Sequence, residues 1–237
     1  MLKIDLHTHT IASGHAFNTI YEMAEAASKK GIKVLGITEH GPETLGSAKE
    51  VYFECLDRVP KKLYGVKLLF GAELNIINEQ GGVDLSETTL KRLDFASGFH
   101  IARSYKGSKE SQTTAVVEAI KNPYVSVIVH AYYRPIDANI EKVAQTACDN
   151  NKLMEISLTH FNNSWKTIQG ERLERLKKMI KIIKKNNFKV LLGSDAHVIT
   201  EIGADASFQK NKKLLGLMDK DIANYDIKYL RKFIKNI

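Results

Sequence analysis

The chain has 237 residues, and its 35 Lys and Arg against 27 Asp and Glu leave a formal charge of +8 with all eight histidines neutral. Hydrophobic residues make up 43% and charged residues 26%, with only 4 prolines, which supplies a core and excludes disordered, collagenous and low-complexity classes. The two cysteines, Cys55 and Cys148, match no paired-ligand spacing, so no disulfide framework is expected and a reducing compartment fits.

Taken in chain order, short apolar runs alternate with stretches of helical spacing. Leu2–Leu6 reads as a first strand, and Lys3 and Asp5 put charge where the apolar core of a secretory leader would begin. A helix over 18–30 leads to a strand at Lys33–Thr38, and a helix over 47–63 to a strand at Lys67–Ala72. Helix 86–92 precedes strand Asp94–Gly98, helix 111–121 precedes Val125–Val129, helix 137–150 precedes Leu153–Ser157, and helix 171–186 precedes Lys189–Gly193. Further helices are expected after Asp205 and Asp226. No apolar run approaches the roughly 18 residues of a membrane span, so a soluble cytoplasmic protein without a membrane partner is expected.

Seven successive strand-helix units with no Pro/Gly/Ser-rich linker predict a single domain over residues 1–237. No glycine-rich phosphate loop follows the first strand. That favours a distorted seven-stranded, TIM-like (β/α) barrel over an open doubly wound sheet.

The polar residues sort by the strand they follow. Strand one runs into His7-Thr8-His9, where alternation points both imidazoles the same way, and His15 lies in the next loop. Strand two ends at His40, strand three at Glu73, strand four at His100, strand five at His130, and strand seven at Asp195-Ala196-His197. In a barrel these ends share one face, so nine side chains converge on one pocket. A lone histidine or carboxylate there is ordinarily a hydrogen-bonding or capping residue. Nine together make a costly polar cluster that cations satisfy directly. Imidazole and carboxylate without thiolate suit zinc, manganese or iron, and at about four ligands per ion the set implies two or three metals.

The segments Asp5-Leu6-His7-Thr8-His9-Thr10, His15, Thr38-Glu39-His40-Gly41-Pro42, Gly71-Ala72-Glu73, Gly98-Phe99-His100, Val129-His130 and Gly193-Ser194-Asp195-Ala196-His197 resemble the PHP family. That family is named for polymerase and histidinol phosphatase domains, and the likeness points to its short stand-alone bacterial phosphatases. The resemblance covers nearly the whole chain. It implies a distorted seven-stranded barrel with three divalent metal ions, zinc first and manganese or iron as alternatives, hydrolysing phosphoesters. It also implies that His7, His9, Glu73 and Asp195 hold one metal, that Glu73 bridges to a second held by His100 and His130, and that His15, His40 and His197 hold the third. Two stretches depart from the family pattern, His130-Ala131-Tyr132-Tyr133-Arg134-Pro135 and Glu155-Ile156-Ser157-Leu158-Thr159-His160-Phe161-Asn162-Asn163. Both border the pocket, and both bear on which substrate is taken.

The expected reaction is phosphomonoester hydrolysis by a metal-bridged hydroxide. Glu73, Asp195 and His197 are the expected catalytic residues, with a histidine near the third metal or a metal-bound water as the acid for the leaving group. Arg134, Arg103 and Tyr132 are expected to contact a small-molecule phosphoester, the guanidinium fork suiting a phosphate; solvated loop arginines are the alternative. His160 and Trp165 read as packing residues, and the basic helix 171–186 as an outer barrel helix with a solvated lysine face. Competing functions are a phosphodiesterase or nuclease acting on nucleic acid, a metal-dependent amidohydrolase, and a non-catalytic metal-stabilised domain. Oligomeric state is not legible in the sequence.

Overall fold

Continuously buried apolar runs form the strands, as parallel strands covered on both faces require. Ile4–Thr8 (β1) and Val34–His40 (β2) are buried at every position. The computed structural model describes residues 2–102, 105, 107–133, 137–162 and 168–237. The expected helix over 47–63 is divided. Glu50–Glu54 (α2) gives way to a 3-10 turn at Leu56–Arg58, because Pro60 disfavours helix at Val59. A short strand Lys62–Leu63 (β3) then pairs antiparallel with the start of Val66–Ile76 (β4). Both residues between them, Tyr64 and Gly65, have positive φ (49° and 79°), which matches the twist of a tight hairpin.

Phe95–Ile101 (β5), Val125–Ile128 (β6), Leu153–Ser157 (β7) and Leu191–Gly193 (β8) complete a sheet ordered β1-β2-β4-β5-β6-β7-β8, every neighbour on that path parallel. The ends of the sheet meet. Thr8 bridges Ala196, the His9 N–H donates to Ala196 O at 2.9 Å, and the Asp195 N–H donates to His7 O at 2.9 Å. At the other end of this seam Asn224 binds both strands, its Nδ2 donating to Ile4 O and Leu192 O while its Oδ1 accepts from the Leu192 N–H. The expected seven-stranded α/β barrel is therefore present and nearly closed.

The covering helices are Ile20–Lys29 (α1), Glu87–Arg92 (α3), Lys109–Ile120 (α4), Ile140–Asp149 (α5), Thr159–Asn162 (α6), Gly170–Lys185 (α7) and Ala206–Asn211 (α8). Thr19 and Glu22 start α1 with a reciprocal capping box. α7 buries Leu176, Met179, Ile180 and Ile183, as its amphipathic spacing predicts. Arg175, on the helix expected to turn its basic side chains to solvent, is buried and donates to the carbonyls of Ala131 and Tyr132.

Alternate strand positions divide the core. Leu35, Ile37, Leu68, Phe70, Met154 and Ile156 pack under the helices. Ile4, Leu6, Val34, Leu69, Phe95, Val127, Leu153 and Leu191 fill the barrel, joined by Leu230, Ile234 and Ile237 from the short helix Ile227–Leu230 (α9) and the C-terminus. Apolar layers thus occupy the interior below the polar ends of the strands. Among the described residues no helix is long and apolar enough to cross a membrane.

Candidate metal centre

Two β-bulges aim the ligands. Asp5 pairs with Leu35 and Thr8 with Ile37, so β1 spends two residues, Leu6 and His7, against the single Gly36 of β2. Strict alternation after Leu6 would send His7 out toward the helices; the extra residue lets Leu6 fill the barrel core while His7 and His9 face the centre. β5 does the same. Leu74 pairs with Gly98 and Asn75 with His100, and the inserted position brings His100 onto the face of Glu73.

Glu73 lies at the middle of the cluster, fully buried. Its Oε1 is 3.0 Å from His100 Nε2 and 3.1 Å from His130 Nε2. Its Oε2 is 2.9 Å from His40 Nδ1, 3.4 Å from His9 Nε2 and 3.5 Å from His7 Nε2. Asp195 Oδ1 stands 3.4 Å from His9 and 3.6 Å from both His7 and His197. Among the described residues four overlapping triplets have ligand atoms close enough to share an ion: His7, His9 and Asp195; His7, Glu73 and His130; His40, Glu73 and His100; and His9, His40 and His197. His15 belongs to none of the four, but its Nε2 is 3.0 Å from His197 Nε2 on the solvent-exposed side. All nine expected ligands are thus brought together.

The fit to cations follows from the protons. His7 Nδ1 donates to Glu155, and His9 Nδ1 donates to Ser13 Oγ, whose own proton goes to Glu39. With these hydrogen bonds holding the Nδ1 protons, the two rings in their neutral forms would face each other with Nε2 lone pairs, yet these atoms lie 3.1 Å apart. Only a proton or a cation between them makes that contact favourable. The buried carboxylate oxygens of Glu73, both ring nitrogens of His40, Nε2 of His100 and Nδ1 of His130 have no hydrogen-bond partner of correct geometry among the described residues. Buried polar atoms left this way are costly, and a shared metal satisfies them together.

Electrostatics favours ionised carboxylates. Burial pushes Glu73 up, but His100, His7 and His40 outweigh it and hold the carboxyl well below its usual range. Asp195 is likewise driven well below, its burial overcome by His9, His7, His130 and His197. Burial and the neighbouring His40 hold His9 well below the usual histidine range, and burial with His40 and His197 lowers His15 to about 4, so both stay neutral ligands. His130 and Asp195 adopt φ of 56° and 53°. A left-handed backbone at non-glycine residues is strain of about 1–2 kcal/mol each, concentrated at ligand positions.

Glu155, Ser13 and Glu39 support the ligands without belonging to the nine expected ones. Glu155 is fully buried in β7 and fixes His7; its signal was a carboxylate embedded in the apolar run Leu153-Met154-Glu155-Ile156. Glu39 accepts from Thr10 and Ser13 at 2.5 Å each and so braces the His9 loop. Arg103, Arg134 and Trp165 lie outside the described residues. Tyr132, expected at the rim, is fully buried; its hydroxyl accepts from the Ser157 N–H and pairs with His160 Nδ1 at 2.8 Å, which fastens the loop after β6 to β7. The partly exposed neighbour Tyr133 stacks on His160 with ring centroids 4.3 Å apart, and the Arg172 guanidinium lies over the Tyr133 ring, 4.1 Å from its centroid.

Comparison with known proteins places the chain among relatives. The PHP domain model matches residues 5–136. A probable phosphatase of Acetivibrio thermocellus is 38% identical over 236 residues, covering 98% of this chain and 95% of the relative. One of Clostridium novyi is 37% identical over 237 residues, covering 98% and 94%. Among solved structures, histidinol phosphate phosphatase from Lactococcus lactis, crystallised with zinc, L-histidinol and phosphate, superposes with a TM-score of 0.58 at 15% identity, covering 90% of this chain and 92% of that one. At that identity the likeness speaks for the fold.

Proposed function

The chain belongs to the PHP domain family, and from that membership and the geometry of the centre we propose that it is a metal-dependent phosphatase hydrolysing phosphomonoesters with three divalent ions. The observation that carries the reading is the pair of lone-pair nitrogens of His7 and His9 held 3.1 Å apart beside ionised Glu73 and Asp195. Probable phosphatases at 37–38% identity over the chain support the reaction class, and the zinc, L-histidinol and phosphate in the Lactococcus lactis structure support zinc and a small-molecule monoester. We take residues 1–237 as one PHP domain of cytoplasmic location.

Bound in the centre, divalent ions supply an activated water near neutral pH and neutralise charge on the phosphoryl oxygens. The chain's residues prepare for that. Glu73 presents Oε1 to His100 and His130 and Oε2 to His40, so one carboxylate joins two ligand sets. Glu155 keeps the Nδ1 proton of His7 and leaves Nε2 free to ligate. His15 and His197, on the open side, meet substrate first, and the His197 Nδ1 proton is held by the carbonyl of Asp195. The apolar interior below the ligands excludes water from beneath.

Elemental analysis of the purified protein with a panel of phosphomonoesters, histidinol phosphate included, tests this. About three equivalents of metal, monoester turnover abolished by chelation, and loss of both turnover and metal in Asp195→Ala are expected. Undiminished turnover by metal-free protein, or faster hydrolysis of phosphodiesters or cyclic amides, would overturn it.

A further inference from the structure

Two loops border the exposed side of the centre. One follows β1 and carries His15; the other follows β2 and His40. They are tied to each other, with the Gly14 and Gly46 backbones in contact and the Ala48 N–H donating to Ala12 O at 2.8 Å. They are also tied to the third histidine there, since the Phe17 N–H donates to His197 O at 3.0 Å. On these loops stand Phe17, 77% exposed, Leu45, 74% exposed, and Ile11, 57% exposed. The first two are the most exposed large apolar side chains among the described residues.

Apolar side chains scattered singly over a surface need no explanation. These three are not scattered. They occupy two adjoining loops at the mouth of a polar centre, where catalytic barrels carry their specificity residues. None of them contributes to either core. A phosphoryl group reaching the centre from its open side leaves the organic part of its ester beside the loops that carry these residues, Phe17 standing two positions from His15. We infer that Phe17, Leu45 and Ile11 form an apolar collar that receives the leaving group, so that the substrates are phosphate esters of aromatic or otherwise apolar alcohols rather than of sugars or polyols. This rests on the phosphatase reading and names its substrate class.

The test compares kcat/KM on 1-naphthyl phosphate and on glycerol 3-phosphate for the wild type, a Phe17→Ser/Leu45→Ser variant and the control Leu214→Ser, which changes an exposed leucine outside both loops. The wild type prefers the naphthyl ester, and the double variant loses about tenfold of that preference, the scale of one apolar contact; the control keeps it. Calorimetric binding of benzylphosphonate against methylphosphonate reads the collar without turnover, and the variant loses the benzyl advantage. If no monoester is hydrolysed the phosphatase reading fails, while the phosphonate comparison still decides the collar. An unchanged preference in both measurements overturns the inference. If the unchanged preference is accompanied by dissociation of a dimer on sedimentation, the collar is an interface with a second copy of the chain.

Discussion

Glu155 grips His7 with both carboxylate oxygens, at 2.9 and 3.0 Å from Nδ1, across 148 positions of sequence. The contact fixes the tautomer and the ring plane of a ligand that faces His9, Glu73 and Asp195 at once. Glu155→Gln keeps an acceptor for the Nδ1 proton but removes the charge that strengthens the imidazole as a donor. Metal affinity or kcat/KM should fall by about 10- to 100-fold with the fold retained, as metal titration, steady-state kinetics and circular dichroism will show. A loss under about twofold would mean that His7 does not depend on Glu155.

The space beneath that pair is filled. A Cβ on Gly193 would collide with the Glu155 carboxylate and with Cβ of His7. Gly193→Ala should therefore destabilise the protein by about 1–3 kcal/mol and lower its metal content below that of the wild type. Urea unfolding and elemental analysis check both, and an unaffected metal content would show that the pair can shift without consequence.

At the barrel seam Asn224 is the hydrogen-bonding partner of Ile4 O and of both backbone groups of Leu192. Replacing it with alanine strands these buried groups. A cost of about 2–4 kcal/mol in unfolding free energy is expected, and a change within about 0.5 kcal/mol would show that water takes over the bonds.

Metal binding should release protons. Burial opposes the charged form of His7, but Glu155 and Glu73 outweigh it and raise this imidazole well above its ordinary range. His100 is raised by Glu73 against the same opposition. Without metal both rings favour the protonated form more than an ordinary histidine does, whereas Glu73 and Asp195 are held toward the ionised form. A cation displaces the protons these rings hold, so affinity falls as pH drops and levels off once pH exceeds the metal-free pKa values. Calorimetry in buffers of different ionisation enthalpy measures the number, and proton uptake would contradict the assignment.

Much of the molecule was legible in the chain because it is written in local patterns. The apolar runs gave every barrel strand, and the polar residues at their C-terminal ends gave all nine members of the cluster. Where a reading failed, a longer-range effect intervened. The hairpin at Tyr64-Gly65 replaced part of an expected helix because two positive-φ residues allow a turn that helical periodicity does not reveal. Tyr132 looked like a rim residue in a polar loop, but Arg175 from α7 draws that loop's carbonyls inward and the tyrosine hydroxyl satisfies Ser157.

Composition and order along the chain by themselves determined which donors exist, that thiolates are absent from the set, and that the donors lie toward the C-terminal ends of the strands or in the loops that follow. The three-dimensional fold alone decided which way they point. A bulge is counted against the neighbouring strand and has no signature within its own, so only the pairing of β1 with β2 and of β4 with β5 turns His7 and His100 toward Glu73. For the same reason Glu155 became a partner of His7 only when β7 was brought across the barrel from β1. A carboxylate's role is set by what stands opposite it, and that is a property of the closed barrel.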